Sequence, residues 1–345
     1  MAKINVRSPY YVSTNQSGMV SASIDIYIYT GIQTTNRPAS PTYTLSSNAV
    51  NSRVNFEIAD LVKDYIEMTL NFTNSTAIKN NVWVDYVVTR YFTNTTTVRP
   101  VVQLRAFYGY GYFEEDVNPQ LDSVALLSNT HIVKYKNHLL RFPVDNFYQG
   151  AQIRFFKDNV LQNEEIVTRT YNSYDQVQYF SNTGGTANVD EVRVVSGGNN
   201  YFYTVENIEE CLDTPYRLTF VNKFGALQSQ TFFKKSVRNM NTNVTYYKKN
   251  IVSNGDYNLT AAQKSIILKN ANESLTLNSG FYPENNNDVF KELLLSENVW
   301  IYYDGQELPC NISSSSISYK TSRNDKLINY TLDIEFANDV VQNIR

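Results

Sequence analysis

The sequence predicts a mainly β protein, built of two to three β-sandwich-like domains with a few short amphipathic helices. Three observations carry that expectation. Charged residues make up only 18% of the chain against 42% hydrophobic, so its polarity rests on uncharged Asn, Thr, Ser and Gln. Aromatics reach 14%, led by 27 Tyr and 18 Phe, and Tyr and Thr suit pleated surfaces with one packed and one wet face. Apolar and polar residues also alternate with period two. Ile24, Ile26 and Ile28 interleave with Asp25, Tyr27 and Tyr29, and the run from Ile328 through Tyr330, Leu332, Ile334 and Phe336 repeats the pattern.

A chain of 345 residues exceeds one ordinary domain, and its breakers divide it in three. Residues 1–115 read as an N-terminal β domain with one helix. Ile58, Leu61, Val62, Tyr65 and Ile66 recur at helical spacing over about three turns, and strands follow at 82–88 and 101–108. Residues 116–250 read as a middle antiparallel β domain with turn signals at Lys157-Asp158-Asn159, Thr183-Gly184-Gly185 and Ser196-Gly197-Gly198-Asn199. Its clearest unit spans 216–233, where Asn222-Lys223-Phe224-Gly225 fits a type I turn closed by a left-handed glycine. The polar stretch 248–256 reads as a linker. Residues 251–345 read as a C-terminal α+β domain, with Asn287 capping a helix through Leu294, then two strands joined at Asp304-Gly305.

The net charge is −3, which argues against nucleic acid as the main partner. No apolar run approaches the roughly 20 residues that span a bilayer, and the first ten residues lack the apolar stretch of a secretion signal. The expectation is a chain made and released in the cytoplasm, without membrane insertion. Cys211 and Cys310 leave a disulfide open, and read more readily as two buried free thiols. Asn-X-Ser/Thr triplets at Asn71, Asn243, Asn258 and Asn329 arise by chance in an Asn- and Thr-rich chain.

The search for chemistry finds no catalytic, cofactor-binding or metal-binding set. His131 and His138 are the two histidines, and neither sits in a metal or triad context. Gly109-Tyr110-Gly111 lacks the third glycine of a dinucleotide loop, since Glu114 stands there. Glu114, Glu115 and Asp116 cluster beside a proline, and Glu164-Glu165 and Glu209-Glu210 are adjacent doublets, with nothing to make two of them converge. The basic stretch 232–238 reads as charge at a strand end, where it discourages stray pairing.

The positive signal is surface. Tyr supplies contact area with a hydroxyl handle, and aromatic enrichment marks protein interfaces. The candidate contact surface is Pro9, Tyr10, Tyr11, Tyr27, Tyr29, Tyr246, Tyr247, Tyr302 and Tyr303. Residues 1–13 read as an extended arm that orders only on assembly. The same aromatics would also suit sugar binding.

Three segments add a family likeness. One is Ala2-Lys3-Ile4-Asn5-Val6-Arg7-Ser8-Pro9-Tyr10-Tyr11, followed by Ile24-Asp25-Ile26-Tyr27-Ile28-Tyr29-Thr30-Gly31 and Phe56-Glu57-Ile58-Ala59-Asp60-Leu61-Val62-Lys63-Asp64-Tyr65. The next is Phe220-Val221-Asn222-Lys223-Phe224-Gly225-Ala226-Leu227-Gln228, and the last runs from Leu275-Thr276-Leu277-Asn278-Ser279-Gly280-Phe281 to the C-terminal strand. Together they resemble virion structural proteins of tailed bacteriophages. That resemblance implies a non-enzymatic component of the tail, baseplate or neck, present as a ring of copies touching other virion proteins. It implies a place in the virion, assembled in the host cytoplasm. Rival expectations are a receptor- or carbohydrate-binding module of a tail fibre and a glycan-cleaving tail enzyme.

Overall fold

The computed structural model describes residues 2–31, 36–68, 70, 82–136, 138–168, 176–181, 188–209, 212–314 and 327–341. Cys211, Glu210, the Asn71 triplet and the Thr183-Gly184-Gly185 turn lie outside the described residues. Among those described, 24 strands stand against two α-helices and two single 3-10 turns, so the protein is mainly β. It forms two compact units. The first comprises Met1–Glu209, Phe220–Ser229 and Asp288–Ser296; the second comprises Glu210–Thr219, Gln230–Asn287 and Glu297–Arg345.

The first unit opens with β1 (Lys3–Asn5), β2 (Tyr11–Asn15), β3 (Met19–Thr30), β4 (Tyr43–Asn48) and β5 (Arg53–Glu57). Helix α1 (Ala59–Lys63) precedes β6 (Val82–Phe92), β7 (Thr96–Val98) and β8 (Val102–Phe107). A six-stranded sheet runs β1-β8-β6-β3-β4 with β7 beside β6, and β2 pairs separately with β5. The alternation seen in the sequence is the inward face of β3, where Ile24 and Ile26 are fully buried. Helix α1 is one turn long, shorter than the spacing predicts. The bonds from Tyr65 N to Val62 O and from Ile66 N to Lys63 O tighten its end to i→i+3 geometry, yet Ile58, Val62 and Ile66 still bury their side chains.

The start of the chain is no loose arm. Strand β1 lies parallel to β8, and Lys3, Ile4 and Val6 are buried. Its outer edge is closed by side chains instead of a strand. Gln120 Nε2 donates to Lys3 O at 2.9 Å and its Oε1 accepts from Lys3 N at 2.8 Å, while Asn118 makes the same two-way clasp on the backbone of Asn5. The seam expected at 115–116 therefore falls where the chain is tied back onto its own first strand.

The rest of the first unit holds β9 (His131–Tyr135), β10 (Phe142–Asp145), β11 (Gln152–Lys157), β12 (Val160–Ile166), β13 (Val177–Phe180), β14 (Glu191–Ser196) and β15 (Asn199–Ile208). Five of these form a sheet in the order β12-β11-β14-β15-β9, and β10 pairs with β13. Their apolar faces share one core that includes Phe142, Ile153, Phe155, Val192, Val194 and Tyr203.

A seven-stranded sheet uses β16 (Tyr216–Val221), β17 (Leu227–Phe232), β18 (Lys234–Lys248) and β21 (Lys264–Pro283). Between the last two lies a small hairpin, β19 (Val252–Ser253) with β20 (Asp256–Tyr257). Helix α2 (Asn287–Leu295), β22 (Val299–Tyr303), β23 (Gln306–Ile312) and β24 (Leu327–Phe336) complete the chain. The strand order is β17-β16-β22-β23-β24-β21-β18. The predicted turn between β16 and β17 is present, with Gly225 at φ +73° donating to Asn222 O at 3.0 Å. A Cβ there would lie 2.7 Å from Tyr108 N, and one on Gly109 would lie 2.6 Å from Lys223 O. Gly109 thus serves a close backbone crossing, and Gly111 makes room for the Pro119 ring, whose Cδ would lie 2.4 Å from a Cβ there.

Candidate interaction surface

The feature that departs most from a closed sheet is the hairpin of β18 and β21. Their register pairs Arg238 with Leu275 and runs outward to Lys248 opposite Lys264. Strand β24 accompanies β21 only over Ser274–Pro283, and the C-terminal segment reaches one step further, with Val340 N bonded to Ala271 O at 2.9 Å. Asn270 also donates to Asp339 Oδ2 at 2.7 Å; beyond it β18 and β21 pair only with each other among the described residues. That stretch, Val244–Lys248 against Lys264–Lys269, spans roughly 15–20 Å at about 3.3 Å per residue. The stretch once read as a linker, 248–256, is the tip of this arm, so the seam expected near 250 lies inside one continuous hairpin.

The arm is two-faced. Cross-strand pairs Asn239–Ser274, Asn241–Asn272 and Asn243–Asn270 make one face polar. The other carries Met240 opposite Glu273, Val244 opposite Lys269 and Tyr246 opposite Ile266. Met240, Tyr246, Ile266, Ile267 and Leu268 are exposed, and Leu259 at the tip is 88% exposed. A two-stranded hairpin is marginal on its own in water, and exposed apolar strands with open edges invite pairing. The arm is also strongly basic. Residues 234–273 hold seven Lys and Arg against the two acids Asp256 and Glu273, a net +5 in a chain whose total is −3, which leaves −8 on the remainder.

The nine predicted contact residues do not form one surface. Tyr246 and Tyr247 are exposed on opposite faces of the arm, with Lys264 Nζ 4.0 Å from the Tyr246 ring centroid. Pro9 and Tyr11 are exposed beside β2. Tyr10 is half-buried, and burial raises its hydroxyl pKa, partly offset by a hydrogen bond with Tyr86. Tyr27 is half-buried under the Arg37 guanidinium at 4.2 Å. Tyr29 belongs to the core: it is 6% exposed and donates to Asp85 Oδ1 at 3.2 Å. Tyr302 and Tyr303 are half-buried, the first beneath Arg217 at 4.8 Å, the second stacked on Tyr216 at 6.0 Å and accepting from Arg238 at 2.7 Å. Tyr303 and Phe336, with Arg238, Glu273, Asn338 and Asp339, also line a groove of about 340 Å³ in the second unit.

Two buried polar clusters in the first unit escaped the sequence reading. In one, Asp145 is fully buried, with Arg105 Nη1 at 2.6 Å, Arg105 Nη2 at 3.0 Å and Lys3 Nζ at 2.9 Å. Burial pushes the Asp145 carboxyl up, but the Arg105 hydrogen bonds and charge, with Lys3, outweigh it and hold the pKa below its ordinary value. In the other, Glu292 on α2 is 1% exposed and accepts from Ser128 Oγ at 2.5 Å and Lys223 N at 3.2 Å. Burial drives its pKa up to about 7 against those bonds. Around it stand Lys223, paired with Glu115 at 3.0 Å, and Lys291, 3.5 Å from the Tyr112 ring centroid. One signal was available for Glu292: it sits between Phe290 and Leu293 on the apolar side of a short helix.

The remaining candidates disperse. His131 faces Thr204 and Glu206 on the sheet surface, and the His138 ring packs edge-on against Tyr135. Glu164 pairs with Arg154 at 2.6 Å. Cys310 is a free buried thiol whose pKa burial pushes up to about 12, with the Glu307 charge adding to it. Among the described residues no three His, Cys, Asp or Glu side chains converge as a metal site, and no helix is long and apolar enough to cross a membrane. A scan against protein-family models and a search of curated proteins each found no match for this chain.

Proposed function

We propose that this chain is a non-enzymatic structural subunit of a tailed-bacteriophage virion, present as an oligomeric ring in the tail, baseplate or neck and in contact with neighbouring virion proteins. The observation that carries this reading is the β18–β21 arm. Its apolar side chains and strand edges are left uncovered by the described residues, a state that subunit contacts would resolve. The sequence likeness supplies the kind of particle. The test is direct: purified phage particles whose genome encodes this chain are probed by peptide mass spectrometry and gold-labelled antibody. The reading expects stoichiometric peptides and label clustered at one level of the tail axis. Particles free of the chain would end it.

A receptor- or carbohydrate-binding role is the second reading, favoured by the groove in which Tyr303 and Phe336 meet Glu273, Asn338 and Asp339. Aromatic faces beside carboxylate and amide groups match the two sides of a sugar ring. A glycan array with the purified chain distinguishes it, since binding lost on Tyr303→Ala would favour this role over a purely structural one.

A further inference from the structure

We infer that the basic arm docks onto a second copy of this chain, along the open edge of β12; this rests on the assembly reading and names the partner. The donor is β18, the terminal strand of its sheet, flanked by Lys234, Lys235 and Arg238 at its root and by Lys248 and Lys249 near the tip. Like-charged arms repel, so two arms do not pair with each other. The −8 on the rest of the chain makes another copy a complementary partner.

Among the open edges, β12 fits. It is the terminal strand of the five-stranded sheet, it carries Glu165 beside Glu164, the latter already paired with Arg154, and Val160, Leu161 and Ile166 are exposed along it. The other edges lack that combination. Strands β4 and β17 carry no charged side chain, β9 carries Lys134, and β1 is clasped by Asn118 and Gln120. Strand addition supplies main-chain hydrogen bonds that both edges lack, while alternate apolar side chains and opposite charges set register. Donor and acceptor are different surfaces, so the contact is heterologous and propagates into a ring or a filament.

Sedimentation equilibrium on the full chain tests this, with circular dichroism melts to confirm that each variant folds. The wild-type chain should self-associate, with an association constant falling about tenfold or more between about 0.05 M and 0.5 M salt. Lys248→Glu with Lys249→Glu and Lys269→Glu should lower association by about 100-fold, and Glu164→Lys with Glu165→Lys should do the same. An equimolar mixture of the two variants should recover association, because each arm then meets an oppositely charged β12 on the other variant. Variants that associate like wild type would overturn the arm-to-β12 contact and leave the assembly reading standing on the particle test. A wild-type chain that stays monomeric throughout would overturn the proposal too. If that monomer bound a labelled single-stranded oligonucleotide through the arm lysines, the occupant would be an anionic polymer instead.

Discussion

Asp145 holds two buried cations at once, Arg105 and Lys3. Replacing it with Asn keeps the shape but removes the carboxylate that pairs with Arg105 and leaves Lys3 the exposed Asp122 at 3.5 Å, a loss of about 3–5 kcal/mol in urea unfolding. Because its folded pKa is depressed, the stabilisation is present above the ordinary carboxylate value of 3.8 and fades as pH falls through the folded value. Glu292 behaves oppositely. The native state keeps its proton to about pH 7 while the unfolded chain releases it near 4.5, so native protein binds more protons in that window and stability falls as pH rises through it. Glu292→Gln should flatten this fall and stabilise the protein at pH 8 by on the order of 3 kcal/mol. An unchanged pH slope in the variant would rule out the assignment. Neither cluster was legible beforehand, because each joins residues far apart in the chain: Lys3 with Asp145, Ser128 with Glu292.

Strands with strict alternation were legible, since period two is a local property. The final strand buries Ile328, Tyr330, Leu332 and Ile334 as its pattern implies. The hairpin turn at Asn222–Gly225 was equally local. What failed depended on pairing at a distance. The tyrosine doublets could not reveal that Tyr29 turns inward to Asp85 while Tyr246 stays out, nor could the polar stretch at 248–256 announce itself as the tip of a paired arm. The bulge at Ser279-Gly280 gives a sharp check on the root of that arm. Gly280 sits at φ +73°, and a Cβ there would meet the Phe233 ring at 2.3 Å, so Gly280→Ala should cost roughly 1–3 kcal/mol in thermal unfolding. The tip should behave otherwise. Replacing Lys249–Gln263 with Asn-Gly, directly between the paired Lys248 and Lys264, should change stability by no more than about 0.5 kcal/mol, because almost every residue removed is exposed.

Taken together, the chain separates well-packed sheets from a basic, partly apolar arm with open edges. The sheets account for stability, and the arm has no role in stability that its own fold explains. Under the proposed function that arm is covered in the particle. The most direct measurement is trypsin cleavage at Lys248, Lys249, Lys264 and Lys269, compared between the free chain and intact virions by mass spectrometry. The account predicts rapid cutting at these sites in the free chain and protection of the same bonds in the particle. Equal cutting in both states would contradict it.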